Sequence, residues 1–211
     1  SERGFFDRCG LDAIHWTTPL RPDAGWLCDA QWDRALESWS HVSESWRVER
    51  TDVPHADFRT VRYAIVTPRK TLSMTLQDDG RTTWVAERLL KEKADLEVLA
   101  EFAPVPLCDA CAVAAARDAI GDRGIVRGAV PGFPIYGQPG CWQDAAVLFG
   151  IQELILETYE DPAWVRALLG LLRDRKIAFV RSTAGTPFDL LELGGGDASS
   201  TVISPKIFDR F

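Results

Sequence analysis

Several absences narrow the function classes before any motif is considered. No apolar run among the 211 residues approaches the ~18 residues of a membrane span, and no charged-then-apolar leader opens the chain. A cytoplasmic, enzyme-like domain with no membrane partner is therefore expected. Lys and Arg number 24 against 31 Asp and Glu, and they are scattered, giving a net charge of -7. That argues against a nucleic-acid partner, whose phosphates demand clustered cations, and none is expected. The five cysteines, at positions 9, 28, 108, 111 and 141, are odd in number and do not form the disulfide framework of a small secreted domain, so reduced thiols are expected. Cys108-Asp-Ala-Cys111 is a lone CxxC. It has neither the second pair nor the preceding strand that a zinc finger or a thioredoxin-like turn requires. Methionine is missing at position 1, where Ser1 stands, and both ends are taken as incomplete.

What is present reads as one α/β domain over residues 1–211, with 46% hydrophobic and 26% charged residues and enough length for one good core. Ala13-Ile-His-Trp16 has the composition of a short strand, and a helix is expected near Ala30 to Trp39. From Tyr63 to Leu76 apolar and polar side chains alternate on both sides of Pro68 and Arg69, and Asp78-Asp-Gly80 turns the chain before Thr82-Thr-Trp-Val-Ala86. Residues 60–88 thus predict a small antiparallel hairpin insert that acts as a local cover. Helices follow over Lys93–Phe102 and Cys108–Ile120, the second closed by Gly121. Gly124–Val130 reads as a buried strand. It leads into the loop Pro131-Gly-Phe-Pro-Ile-Tyr-Gly-Gln-Pro-Gly140 and a helix over Cys141–Tyr159, and Asp161-Pro162 restarts the chain as another helix. Leu190–Leu193 is a further strand, followed by Gly194-Gly-Gly196, a polar turn, and a helix capped by Ser204 with Pro205 at its first position.

Strand, loop, helices, strand, loop, helix is the alternation of a parallel sheet. Two convincing strands and a weaker one supply less than half the wall of a (β/α)8 barrel, which takes eight strands and about 250 residues. The expected fold class is a partial (β/α)8 TIM barrel with a hairpin insert, the chain being a fragment of the whole.

In such a sheet the ligand sits at the loops that follow the strands. That selects Gly195 and Gly196, where backbone can approach a ligand closely, with Ser199 and Ser200 beside them. Asp197 is the candidate catalytic carboxylate, able to accept a hydrogen bond or a proton. In the loop after the earlier strand, Tyr136 and Gln138 can orient a substrate by hydrogen bonding. His15, at a strand end, is a further pocket candidate. Cys141 opens a helix, where the dipole lowers a thiol's pKa, but no base accompanies it. Each position also has a structural reading: serines that satisfy turn backbone, an aspartate that caps a turn, a rigid Pro/Gly loop.

Three segments together resemble the uroporphyrinogen decarboxylase superfamily. They are Thr83-Trp-Val-Ala-Glu87 with Lys93-Ala-Asp-Leu-Glu97, the run Gly150-Ile-Gln-Glu-Leu-Ile-Leu-Glu-Thr-Tyr-Glu-Asp-Pro162, and Gly194–Phe211 with its Ile-Ser-Pro-Lys-Ile-Phe core. The resemblance runs from about residue 50 to the end. It implies a (β/α)8 barrel and one of two activities. One is methyl transfer between a corrinoid carrier and a thiol, with zinc presenting the thiolate; the other is decarboxylation of a tetrapyrrole, which needs no metal. The methyltransferases' zinc ligands, a His-x-Cys pair and a later Cys, would lie beyond Phe211, so this chain is expected to hold none. The decarboxylases' Arg-Gln-Ala-Gly-Arg motif has no counterpart from Ser1 to Arg50, and no Arg or Lys lies between Pro131 and Asp144 or between Gly194 and Pro205. An octa-acid substrate requires such a cationic cradle, so the methyltransferase-like branch is favoured. The implied partners are a small-molecule substrate and a corrinoid protein, with a homodimer among the assemblies allowed. A non-catalytic binding member of the superfamily is the third reading.

Overall fold

The computed structural model describes residues 8–10, 12–21, 44–133 and 135–211. The expected helix near Ala30 to Trp39, Cys28 and His41 lie outside them. Among the described residues, seven strands fall into two sheets. β1 (Ala13–Trp16), β6 (Gly124–Ala129) and β7 (Leu190–Glu192) form a parallel sheet with β6 in the middle; β2 (Arg47–Val53), β3 (Arg59–Val66), β4 (Thr71–Asp78) and β5 (Thr83–Glu87) form a separate antiparallel meander. The fold is therefore mixed α/β, and the described residues close no barrel.

The antiparallel sheet is a correction to the expected hairpin at 60–88. It has four strands from Arg47 to Glu87 and supplies one wall of the larger core rather than a local cover. Period-two alternation is the cause: Val61, Tyr63 and Ile65 of β3 and Leu72, Met74 and Leu76 of β4 all point inward and are almost fully buried. Each such side chain contributes about 1.5–3 kcal/mol relative to an exposed one. The turns form from local polar chemistry. Thr67 Oγ1 donates to Lys70 O at 2.7 Å, and the Asp79 carboxylate accepts the Arg81 and Thr82 amides at 2.9 Å each, with Gly80 at φ +83°.

Against that sheet pack α1 (Asp95–Phe102), α3 (Cys141–Phe149), α4 (Ile151–Glu160) and the first half of α5 (Pro162–Ser182), through Leu96, Leu99, Leu148, Leu154, Leu168 and Leu172. Asp95 fixes the start of α1. Burial pushes its carboxyl up, but the Lys70 ammonium and the Lys91 and Glu92 amides outweigh that and hold it below the usual carboxylate range. The single helix expected over Cys141–Tyr159 is two helices. Gly150, at φ +109°, ends α3 and starts α4, in a conformation a side chain rarely adopts.

A second, smaller core lies under the parallel sheet: Val126, Val113 and Ile120 of α2 (Ala110–Ile120), Cys108, Leu20 and Phe179. Because Leu172 sits in one core and Phe179 in the other, the 21-residue α5, about 31 Å long, ties the two sheets together. The entry to β7 is pinned by Asp189, whose carboxylate accepts the Val126 amide at 2.7 Å and pairs with Arg117 at 2.6 Å. The Val126 bond, then Arg117, keep that carboxyl below the usual range. No helix among the described residues is long and apolar enough to cross a membrane.

Candidate functional site

All three parallel strands end at the same edge, and cross-bonds hold their ends together. Thr17 N–H donates to Arg127 O at 2.9 Å, Thr18 Oγ1 accepts the Ala129 amide at 3.1 Å, and Val130 N–H donates to Glu192 O at 2.8 Å. The loop after β6 (131–140) and the loop after β7 (193–204) leave this edge side by side. Their contact is backbone against backbone: a Cβ at Gly140 would lie 2.5 Å from Gly194 O and 2.9 Å from Gly195 Cα. Pro139 lies beside Gly194, and the Gln143 amide beside Gly196. Glycine at 140 is what lets the two chain segments approach so closely; a Cβ at Gly194 would make only ordinary contact with Pro139, and one at Gly195 would meet open space.

Of the residues singled out from the sequence, Gly195, Gly196, Asp197, Ser199 and Ser200 belong to this apposed segment. Ala198 N–H donates to Gly195 O at 3.0 Å, Ser199 Oγ lies 2.8 Å from Thr201 Oγ1, and Ser204 Oγ accepts the Ile207 amide to start α6 (Pro205–Arg210). Ser200 is exposed. Asp197 is half-buried and makes no hydrogen bond or ion pair with another described residue, which leaves its carboxylate available to a ligand. Tyr136 points elsewhere: its hydroxyl donates to Thr83 O at 3.0 Å, joining the loop to the antiparallel sheet. Gln138 is held by its backbone, with the amide on Asp144 Oδ1 and the carbonyl on Lys176 Nζ, both at 3.0 Å. His15 is exposed and in register with Val126, so it shares the face of Val126 rather than that of Trp16 and Arg127.

Two groups were missed in the sequence. The first lies on the face of the parallel sheet turned away from the second core. There the Arg127 guanidinium sits 4.2 Å over the Trp16 ring and pairs with Glu192, while Ile14, Ile125 and Leu190 remain exposed. The second is a buried ionic cluster behind the loop after β6. Asp144 (1% exposed) accepts the Phe133 and Gln138 amides on Oδ1 at 3.0 Å each and Lys176 Nζ on Oδ2 at 2.8 Å. Lys176 also donates to Pro131 O at 3.2 Å. Arg175 donates to Ala103 O and Pro104 O and lies 5.1 Å from the Phe133 ring centroid. Burial pulls the Arg175 guanidinium down to about 10, against the opposing charge of Asp144. A charged residue directly before the apolar run Ala145-Ala-Val-Leu-Phe149 was the available signal for Asp144, whereas Lys176 stands in the charged run Arg173-Asp-Arg-Lys176, which gives no sign of burial. Pro106, Pro131, Phe133, Leu172 and Lys176 line a cleft beside this cluster with room for about one water.

Cys108 is buried, and burial with Asp109 alongside pushes it up to about 11. The expected activation of Cys141 by its helix terminus is not the net result, because burial raises this thiol despite the pull of Lys176. Cys111 is exposed while Cys108 is not, and both thiols are free. Among the described residues no three His, Cys, Asp or Glu side chains gather as a metal would require, so these residues by themselves do not fit a zinc ion.

No family model, curated protein or solved structure matches the chain.

Proposed function

We propose that this chain forms part of a (β/α)8 enzyme of the uroporphyrinogen decarboxylase superfamily, methyltransferase-like, in which the loops after β6 and β7 make one wall of the substrate pocket. The observation that carries the reading is the apposition of those loops at the C-terminal edge of parallel strands, with the half-buried Asp197, bonded to no other described residue, in the second of them. The residues of the resemblance fall within or at the ends of regular elements. Thr83–Glu87 is β5, Gly150 and Pro162 bound α4, and Ser204-Pro205 opens α6. Within the pocket Asp197 accepts a hydrogen bond or a proton from the substrate, and Gly195 and Gly196 let it approach the backbone. Zinc, if bound elsewhere in the protein, would supply the activation of a thiol for methyl transfer from a corrinoid; the described residues would only shape and orient the substrate pocket.

Decarboxylation is the second reading, and one observation favours it: Arg127 offers a cation on the uncovered face of the parallel sheet, close to the same edge. Against it, Arg127 is already paired with Glu192, and Lys176 and Arg175 are buried and bonded to the protein's own oxygens. The test uses the full-length protein. Bound zinc with methyl transfer from methylcobalamin to a small thiol is expected; a protein with its natural C-terminus and no zinc sinks the methyltransferase reading. Conversion of uroporphyrinogen to coproporphyrinogen would establish the second reading, and ligand binding without either turnover would favour a non-catalytic member.

A further inference from the structure

The buried Asp144–Lys176 pair engages the loop after β6 from both sides. Asp144 Oδ1 takes two of the loop's amides, Phe133 and Gln138, and Lys176 Nζ takes two of its carbonyls, Pro131 and Gln138. Four tethers converge on a segment of eight residues, and the ion pair that supplies them is itself almost out of solvent. Burying both charges is costly unless their remaining bonding capacity is met, and here the loop backbone meets it.

The conformation so held is a strained one. Ile135, β-branched and buried, sits at φ +81°, a region such residues rarely occupy. The fit is also close. A Cβ at Gly132 would overlap the Gln138 amide nitrogen, and one at Gly137 would overlap the Phe133 amide nitrogen and come within 2.7 Å of Asp144 Oδ1. Two residues past the last tether the chain reaches Gly140, which seats the Gly194–Gly195 backbone.

From these observations we infer that Asp144 and Lys176 are positioning residues: they lock the loop after β6 so that Gly140 holds the glycine segment carrying Asp197 in place. The inference rests on the reading of the two loops as a substrate wall, but its mechanical part stands without that reading. Neither residue touches the ligand; both act through the loop.

The experiment compares amide hydrogen exchange in the full-length protein, its Asp144→Ala/Lys176→Met double variant and Asp144→Asn. The double variant removes both buried charges together, which keeps the fold far better than stranding one of them, and it removes all four tethers. Exchange at Phe133, Gln138 and Ala198 should quicken about tenfold or more while Leu168 and Leu172 in α5 stay within about twofold. Asp144→Asn keeps an Oδ1 acceptor for the Phe133 and Gln138 amides but strands the Lys176 ammonium, so exchange at these two amides should fall between wild type and the double variant. Equal quickening at α5 would reduce the pair to a general stability element, and release of the loop with Ala198 unmoved would show that the brace does not reach the glycine segment. Either result overturns the inference. A methylcobalamin-to-thiol assay on the same proteins separates the two claims. A wild-type protein inactive there and on uroporphyrinogen fails the functional reading while the exchange pattern still decides the brace. An active double variant with wild-type kcat/KM overturns the positioning role.

Discussion

Replacing Gly140 with Ser tests the contact on which the site depends, because every local effect except that contact favours serine. Gly140 is the N-cap of α3 with φ -82° and ψ 142°, a conformation serine adopts freely. At an N-cap serine is worth a few tenths of a kcal/mol over glycine, and the stiffer unfolded chain adds about 0.4–1 kcal/mol. Without a neighbour, Gly140→Ser should therefore stabilise. The new Cβ, however, would lie 2.5 Å from Gly194 O and 2.9 Å from Gly195 Cα, so the glycine segment must retreat by about 0.9 Å to restore ordinary contact. Both neighbours are backbone, and no rotamer change can absorb the overlap. Overpacking of this kind costs about 1–3 kcal/mol, which cancels the gain and leaves a net loss of up to about 2 kcal/mol, or a fall of up to roughly 8 °C in Tm for a chain of this size. Differential scanning calorimetry reads the shift. Gly170→Ala, in the middle of α5 with nothing within 4 Å of its Cβ, is the control and should raise stability by about 0.5–1 kcal/mol. A Gly140→Ser protein stabilised by the full gain of about 1 kcal/mol that the cap and the stiffer unfolded chain supply would show that the two loops do not touch, and the candidate site would dissolve with that contact.

Other perturbations have equally definite outcomes. Asp95→Asn should destabilise the native state at neutral pH and flatten the acid limb of its stability curve. The folded carboxyl is held low, so its contribution is present above the ordinary carboxylate pKa of about 3.9 and fades as pH falls through the folded value; an unchanged acid-unfolding profile would contradict the account. In alkylation by iodoacetamide, read by peptide mass spectrometry, Cys9 and Cys111 should label well before Cys108 and Cys141; fast labelling of Cys141 would mean an activated thiolate after all. Phe179→Ala, at the centre of the core under the parallel sheet, should cost about 3–5 kcal/mol in chemical denaturation, and a loss below about 1 kcal/mol would show that α5 does not seal that core.

Strands with a short apolar run or strict alternation were legible, whether their apolar side chains face a core, as in β3 and β4, or stay largely exposed, as Ile14, Trp16 and Leu190 do. Ala13–Trp16, Gly124–Ala129 and Leu190–Glu192 sit where their short apolar runs put them, and β3 and β4 where alternation does. β2 was not, because Arg47-Val-Glu-Arg-Thr-Asp-Val53 is an edge strand whose side chains are mostly exposed, so its period carries no apolar signal. The break at Gly150 needed φ +109°, which a lone glycine inside a helical pattern does not announce. At the site, the glycine segment and the Ser204 cap were readable from local chemistry alone. Asp144–Lys176 and Trp16–Arg127–Glu192 were not: their partners are 32, 111 and 65 positions apart, and only the tertiary fold brings them together. Tyr136 shows the same limit, since a loop tyrosine can face a pocket or a neighbouring sheet, and here its hydroxyl bonds the Thr83 carbonyl.

Asp197→Asn in the full-length protein tests the central claim most directly, with methyl transfer from methylcobalamin to a thiol followed by the corrinoid's absorbance and circular dichroism as the check on fold. The side chain is half-buried and bonded to no other described residue, so the substitution should leave the fold intact. Turnover should fall about a hundredfold, as expected for a carboxylate that accepts a proton or hydrogen bond from the reacting substrate. A folded Asp197→Asn protein that binds and turns over substrate like the wild type would contradict the assignment of this loop as the pocket wall.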